Sequence, residues 1–120
     1  MERRPMLKEH SPTTVHDMVA DRSILLVDVR EPQEFAAARI HGAVLFPLSS
    51  FDPTSLPAPD AVRVVFHCGS GKRSAMAVAR CQQAGIQHTE HMAGGIQAWM
   101  AARLPTITLD PASGGVIDRR

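Results

Sequence analysis

Two apolar runs constrain the fold of this chain more than any other feature of the sequence. Residues 24–29 read ILLVDV and residues 62–66 read VRVVF, and neither shows the regular polar alternation of a strand with one face in water. Near-continuous apolar runs are typical of strands buried on both faces in a parallel sheet. Parallel neighbours are joined by crossover connections, usually helices. The sequence therefore predicts an α/β fold in which helices cover both faces of a parallel sheet.

Helix-capping residues and apolar periodicity assign the remaining elements. Ser11 followed by Pro12 is typical of a helix start, and Pro32 opens a second helix that we expect to include Ile40 and to end before Gly42. The other predicted elements are a strand at 43–46, a proline-rich connection at 49–60 with one helical turn, a helix at 74–84, a strand at 86–92 and a helix at 96–102. Little periodicity remains beyond residue 105. We therefore expect a domain at residues 1–105 and a loosely held or disordered tail at residues 106–120.

Size and charge narrow the class of protein. The 120 residues suit a single domain, and the net charge of +1 comes from basic and acidic residues scattered along the chain. Such a distribution offers neither the electropositive face of a nucleic-acid-binding protein nor a polybasic membrane patch. Residues 6–14 lack the apolar run of a signal peptide, and no stretch of about eighteen apolar residues occurs. We expect a cytoplasmic protein without a nucleic-acid or membrane partner.

The segment after the second apolar run has the features of a site for an anionic sulfur. Cys68 stands where the predicted strand ends, Gly69 and Gly71 permit the backbone angles of a tight loop, and the next helix points its unpaired N–H groups back at the sulfur. Lys72 and Arg73 add positive charge beside it. A helix N-terminus and nearby cations both favour thiolate over thiol. Cys68 is therefore the candidate nucleophile, and the alternative is a structural cysteine buried as a small apolar residue.

The residues around this cysteine admit more than one role each. Lys72 and Arg73 suit an anionic donor, but charges at the start of a helix are often only solvated. Ser70 and Ser74 either donate a hydrogen bond to the sulfur or cap the helix. His67 precedes the nucleophile, but adjacent strand residues point to opposite faces, which argues against a general base. The candidate substrate-binding residues are Gly69, Ser70, Gly71, Lys72, Arg73 and Ser74.

Other reactive or charged side chains are interpreted as structural. Cys81, the second of two cysteines, lies about 12 Å along the predicted helix, too far from the first cysteine for a disulfide, and shares a helical face with apolar residues. Asp28, Arg30 and Glu34 suit a structural carboxylate and ion pair at a strand end, although Arg30 also has the reach to approach the site. The histidines outside the loop lack metal-ligand spacing, so no metal site is predicted.

Three motifs make the chain resemble the rhodanese family, in particular its single-domain sulfurtransferases, over roughly residues 8–105. They are DVREPQEF at 28–35 followed by IHGA at 40–43, HCGSGKRS at 67–74, and AGGIQAW at 93–99. Each motif alone is weakly specific, but their order and spacing together are highly specific. The chain departs from the family at 38–40, where relatives usually have Gly-His-Ile, and at 103–105, where they have Gly-Leu-Pro. Neither departure touches the cysteine loop.

The resemblance implies a fold and a reaction. The fold is a single α/β domain with a five-stranded parallel sheet and helices on both faces, and Cys68 is the nucleophile. The reaction is a two-step transfer, in which the Cys68 thiolate takes a sulfane sulfur from a small anionic donor such as thiosulfate. The resulting persulfide passes that sulfur to a thiophilic acceptor, a thiol or cyanide. This chemistry requires no metal or organic cofactor, and it is compatible with a protein as the sulfur acceptor.

Two other functions stay open at the level of sequence. Cell-cycle dual-specificity phosphatases and some arsenate reductases share this fold, but their loops follow Cys-x5-Arg, whereas four residues separate Cys68 from Arg73 here. The smaller ring suits a sulfur atom better than a tetrahedral phosphate. A non-enzymatic sulfur-carrier or persulfide-sensing module would use the same residues.

Overall fold

The computed structural model of the chain describes residues 6–119. Residues 1–5 and 120, at the outer ends of the domain and the tail expected from the sequence, lie outside that range. The described helices are α1 (Pro12–Ala20), α2 (Pro32–Ala37), α3 (Lys72–Gln83) and α4 (Gly95–Ala101). The described strands are β1 (Lys8–His10), β2 (Leu25–Asp28), β3 (Ala38–Arg39), β4 (Val44–Leu45), β5 (Val64–His67), β6 (Glu90–Met92), β7 (Ile107–Leu109) and β8 (Val116–Asp118).

Five parallel strands form the main sheet in the order β1-β6-β5-β2-β4. This arrangement confirms the predicted α/β architecture. The central strand β5 pairs with β2 from Val64 opposite Leu25 to His67 opposite Asp28. All four residues of β5 are buried, as expected for a strand covered on both faces. The carboxyl end of β5 lies at the edge of the sheet where ligand sites of parallel α/β folds occur.

Helices pack on both faces of the sheet, so successive strand residues enter two different cores. One core packs α3 against the sheet, and its buried members include Val27, Phe66, Ala77, Val78 and Cys81. The other core packs α1 and α4 against the sheet, and its buried members include Val15, Leu26, Val65, Ile96 and Trp99. Each large apolar side chain that is fully buried contributes about 1.5–3 kcal/mol. The two cores therefore hold α3 and α4 firmly against the strand that carries the cysteine.

Some element boundaries differ from those expected. The predicted extension of the second helix to Ile40 is wrong, because α2 ends at Ala37 and Ala38–Arg39 form β3. Ile40 is instead buried in the core that includes Val15 of α1. The strand β1 was not predicted, since its three residues, KEH, carry no apolar pattern. The connection at 49–60 contains two short 3-10 turns, Leu48–Ser50 and Pro53–Ser55, rather than one.

Residues beyond 106 form part of a second sheet that was not expected. β3, β7 and β8 pair antiparallel in that order, and the hairpin between β7 and β8 closes with the Gly114 N–H donating to the Asp110 carbonyl oxygen at 2.8 Å. The expectation that this segment lacks regular structure does not hold for these strands. Strand formation there depends on pairing with β3, about seventy residues earlier in the sequence. Residues 111–119 are all exposed, and the division of the chain at residue 105 stays a prediction.

Candidate active site

The Cys68 loop, residues 68–71, connects the central strand to α3. β5 ends at His67, and α3 begins at Lys72. Gly71 at the junction has a φ of 105°, a left-handed conformation that glycine adopts without steric cost. This turn points the Gly71 N–H at the cysteine, with its nitrogen 3.1 Å from Cys68 Sγ. The loop therefore presents the sulfur to the N-terminus of a twelve-residue helix.

The Ser74 hydroxyl lies against the same sulfur. Ser74 Oγ is 3.6 Å from Cys68 Sγ and 3.2 Å from the Gly71 carbonyl oxygen. Ser74 is completely buried, whereas Ser70 is exposed. Of the two serines whose roles the sequence left open, Ser74 is the one whose hydroxyl contacts the sulfur. Ser70 contributes its backbone N–H.

The surroundings of Cys68 favour its ionised form. Cys68 is 1% exposed, and burial by itself raises the pKa of a thiol. The hydrogen bond with the Ser74 side chain and those from the backbone N–H groups of Ser74, Gly71 and Ser70 act in the opposite direction. Their combined effect lowers the pKa of Cys68 below its ordinary value. A lowered pKa is characteristic of nucleophilic cysteines.

The Arg73 guanidinium is held by a carboxylate that the sequence analysis did not pair with it. Arg73 Nη1 and Nη2 donate to Glu34 Oε1 and Oε2 at 2.6 and 2.9 Å. This hydrogen bonding is the main reason that the pKa of Glu34 is lowered to about 2. The guanidinium also lies beside Gly69, where an added Cβ would stand 3.1 Å from Nη2. Arg73 therefore links the Cys68 loop to α2, and the Glu34 carboxylate compensates its charge. Lys72, by contrast, is exposed at the start of α3.

The ion pair expected at the end of β2 is present. Arg30 Nη2 donates to Asp28 Oδ2 at 2.8 Å, and the two side chains are 5% and 0% exposed. Arg30 also donates to the Ala38 carbonyl oxygen at 2.6 Å, so its fork links β2 to β3. His67 Nε2 lies 3.4 Å from Asp28 Oδ2, and burial lowers the pKa of His67. The His67 ring faces this pair, in keeping with the argument against a general base.

The second cysteine lies in a different environment. Cys81 is fully buried in the core that packs α3 against the sheet, and both cysteines are free thiols. Burial raises the pKa of Cys81 to about 11. The interpretation of Cys81 as a core residue is therefore confirmed, and its thiol stays protonated at neutral pH.

His91 contributes to the site in a way that the sequence did not indicate. Its Nδ1 lies 2.7 Å from Ser74 Oγ, and its Nε2 lies 2.9 Å from Glu9 Oε2. From the sequence, His91 was considered only as a metal ligand. The contact depends on β6 and β1 being neighbours in the sheet, and β1 itself went unrecognised.

The first turn of α4 holds the backbone of the Cys68 loop. The N–H groups of Ile96 and Gln97 donate to the carbonyl oxygens of Cys68 and Gly69 at 2.8 and 3.1 Å. So close an approach requires a glycine at position 95, because a Cβ on Gly95 would lie 2.4 Å from the Cys68 carbonyl oxygen. The Gly-Gly pair in the third motif is a sequence signal that was not used for this packing, although glycine permits a close backbone approach.

Two features are absent from residues 6–119, a metal-binding cluster and a membrane-spanning helix. No group of three or more His, Cys, Asp or Glu side chains in that range is arranged to hold a metal ion. No helix among the described residues is long and apolar enough to cross a membrane.

Sequence comparison relates the chain to proteins of known class. The family model of the rhodanese-like domain matches residues 11–102. An uncharacterised protein of Synechocystis is 37% identical over 97 residues, which cover 81% of this chain and 54% of that protein. A sulfurtransferase of Allochromatium vinosum is 33% identical, with 85% of this chain and 96% of that protein covered. The thiosulfate:glutathione sulfurtransferase of Saccharomyces cerevisiae is 30% identical, with 68% of each covered. The chain thus spans about half the length of the Synechocystis protein.

Structural comparison agrees with the sequence comparison. A rhodanese-related protein from Thermoplasma volcanium superposes with a TM-score of 0.72 and 25% identity, covering 82% of this chain and 96% of that protein. The region matched by the family model contains all three sequence motifs and the Cys68 loop. Two of the relatives described above are named as sulfurtransferases. With its five-stranded parallel sheet and its cysteine loop at the carboxyl end of the central strand, this chain belongs to the rhodanese family.

Proposed function

We propose that this protein is a sulfurtransferase that takes a sulfane sulfur from thiosulfate and carries it as a persulfide on Cys68. The environment of the sulfur carries the proposal. Cys68 Sγ lies 3.1 Å from the Gly71 nitrogen and 3.6 Å from Ser74 Oγ, and these groups favour an anion there. A yeast relative whose name specifies thiosulfate and glutathione supports the choice of donor and of a thiol acceptor.

The proposed reaction has two half-reactions. In the first, the Cys68 thiolate attacks the outer sulfur of thiosulfate, a new S–S bond forms, and sulfite leaves with the electron pair of the broken bond. In the second, a thiolate or cyanide attacks the outer sulfur of the persulfide, and the Cys68 thiolate is restored. The persulfide carries a negative charge between these steps. Backbone N–H groups of Ser70, Gly71 and Ser74 suit that charge because fixed dipoles stabilise an anion without reacting with it.

The two cations beside the loop contribute differently to donor binding. Glu34 compensates the charge of Arg73, so we assign Arg73 to the support of the loop. Attraction for a dianionic donor then comes from Lys72, which is exposed, and from the N-terminus of α3. This assignment revises the expectation that both cations attract the donor directly.

Thiocyanate formation from thiosulfate and cyanide tests the proposal. We expect turnover by the unmodified protein and none by Cys68→Ser. Cys81→Ala is the matched control, because it removes the other thiol of the chain, which lies in the core, and it should retain most of the activity. Turnover in Cys68→Ser would refute the role of Cys68. Hydrolysis of a small aryl phosphate by the unmodified protein at a comparable rate would favour a phosphatase instead.

A further inference from the structure

A row of hydrogen bonds leads from the sulfur of Cys68 to the protein surface. Ser74 Oγ lies 3.6 Å from Cys68 Sγ, His91 Nδ1 lies 2.7 Å from that oxygen, and Glu9 Oε2 lies 2.9 Å from His91 Nε2. We call these four side chains the Cys68–Glu9 row. The sulfur-transfer steps described above do not involve His91 or Glu9, so the presence of both requires a separate explanation.

Exposure along the row changes from one end to the other. Cys68, Ser74 and His91 are 1%, 0% and 2% exposed, whereas the side chain of Glu9 is 59% exposed. Burying an imidazole costs free energy unless its polar atoms have partners, and both nitrogens of His91 have one. The row therefore connects a buried thiol to a carboxylate in contact with water.

The order of donors and acceptors along the row follows from the carboxylate at its end. A carboxylate only accepts hydrogen bonds, so Glu9 accepts from the His91 Nε2–H. The lone pair of Nδ1 on the neutral ring then accepts from the Ser74 hydroxyl, whose single proton goes to this 2.7 Å contact rather than to the 3.2 Å contact with the Gly71 carbonyl oxygen. The oxygen of that hydroxyl accepts from the Cys68 thiol. All three hydrogen bonds therefore run in one direction, with each donor on the Cys68 side and each acceptor on the Glu9 side.

We propose that Ser74, His91 and Glu9 form a proton relay that converts the Cys68 thiol to the thiolate. The S–H bond breaks as its proton passes to Ser74 Oγ, while the hydroxyl proton of Ser74 passes to His91 Nδ1. The electron pair stays on the sulfur, and the positive charge of the imidazolium faces the carboxylate of Glu9. His91 and Glu9 act through Ser74 and are positioning residues. The relay rests on the proposed function, since it supplies the thiolate on which sulfur transfer depends.

Charged and titratable groups on the surrounding elements are bonded to other partners or exposed. The pairs are Arg73 with Glu34, Asp28 with Arg30 and His67, and Glu90 with Arg63 and His10; the exposed cations are Lys8 and Lys72. Glu90 also alternates with His91 along β6, so the two side chains point to opposite faces of the sheet. Among the carboxylates of residues 6–119, Glu9 is the one that lies within ion-pairing distance of His91. The ionisation of Cys68 should therefore respond to His91 and Glu9.

Alkylation of Cys68 by iodoacetamide, measured across a pH series, tests the relay without a sulfur donor. The reagent attacks the thiolate, and a Cys81→Ala background leaves Cys68 as the single thiol of a chain that has two. We expect His91→Gln to move the alkylation profile to higher pH and to slow the reaction at neutral pH roughly three- to tenfold, the range for loss of one hydrogen bond. Glu9→Gln keeps the acceptor but removes the charge, so a smaller shift in the same direction is expected.

His88→Gln is the matched control for loss of a buried histidine. His88 is 3% exposed, but its Nε2 lies 2.7 Å from the Pro57 carbonyl oxygen, outside the Cys68–Glu9 row. In the Cys81→Ala background, we expect the alkylation profile of this variant to match that of the Cys81→Ala protein itself. Profiles of His91→Gln and Glu9→Gln that also match the control would overturn the relay. If His91→Gln fails to fold, Glu9→Gln still tests the relay, because an exposed position tolerates the change.

Variants of Ser74 distinguish a relay from a structural contact. Ser74→Ala should shift the profile at least as far as His91→Gln, and Ser74→Thr, which keeps a hydroxyl, should restore it. Adding His91→Gln to Ser74→Ala should produce no further shift, because residues of one network do not act additively. Additive shifts would show that His91 acts independently of Ser74. If thiocyanate formation fails while these profiles behave as expected, thiosulfate transfer is refuted and the relay is retained.

Discussion

Gly95 is the residue through which α4 approaches the backbone of the Cys68 loop, and we predict that Gly95→Ala displaces that loop. The added Cβ would lie 2.4 Å from the Cys68 carbonyl oxygen and 2.5 Å from the carbonyl carbon and oxygen of Gly69. All three atoms belong to the backbone and have no rotamer that avoids the methyl group. Contacts of 3.0–3.4 Å therefore require α4 or the loop to move by about 0.6–1 Å.

Two costs combine in this variant. Gly95 has a φ of 61°, and a side chain in the left-handed region costs about 1–2 kcal/mol. Overpacking against fixed atoms typically costs a further 1–3 kcal/mol or so. We therefore expect the free energy of unfolding to fall by about 2–5 kcal/mol. The movement also stretches the bond from the Ile96 N–H to the Cys68 carbonyl oxygen, now 2.8 Å. A misplacement of about 1 Å lowers kcat/KM by roughly 100-fold.

Gly85→Ala separates the backbone cost from the steric cost. Gly85 has a φ of 75°, but an added Cβ there would meet none of the described atoms within 4 Å, apart from its two chain neighbours. Urea denaturation of both variants, with thiocyanate formation as the activity assay, makes the comparison. We expect Gly85→Ala to lose only the cost of a side chain in the left-handed region, about 1–2 kcal/mol of the free energy of unfolding. Its kcat/KM should be unchanged. Equal losses of stability in the two variants, with full activity in Gly95→Ala, would refute the steric argument.

Three further predictions concern single side chains. The hydrogen bond from Arg63 is the main reason that the pKa of Glu90 is lowered from 4.5 to about 2. The ionised Glu90 therefore contributes its full stability above pH 4.5, and this contribution is lost as the pH falls from 4.5 toward 2. Glu90→Gln should reduce the fall in the free energy of unfolding between pH 4.5 and pH 2, as measured by urea denaturation across a pH series. An unchanged fall would contradict the assignment. Cys81, with a pKa of about 11, should resist iodoacetamide at pH 7 in a Cys68→Ser variant, as mass spectrometry can show; rapid labelling would mean that the core opens readily. Lys72→Ala should raise the KM for thiosulfate roughly twofold with an effect that shrinks as salt is added, and a salt-independent change would rule out simple attraction of the dianion.

Signals that lie close together in the sequence predicted the central strands of the sheet and made Cys68 the candidate nucleophile. The run at 62–66 predicted a strand buried on both faces, and Cys68 followed it together with two glycines. Gly71 then adopts the left-handed conformation that such a loop requires. The core position of Cys81 followed from helical periodicity alone. These features depend on backbone preferences and on apolar spacing, which a few neighbouring residues determine.

Only the tertiary structure decided which side chains from distant parts of the sequence meet near the Cys68 loop. Arg73 pairs with Glu34, 39 residues away, and His91 pairs with Glu9, 82 residues away. Each contact depends on the order of strands and helices in space rather than on local spacing. The same holds for β3, β7 and β8, whose short segments become strands because each offers the others a partner. The sequence by itself thus determined the central strands of the sheet and the loop that holds Cys68, whereas the partners of Arg73 and His91 were decided by contacts between residues far apart in the chain.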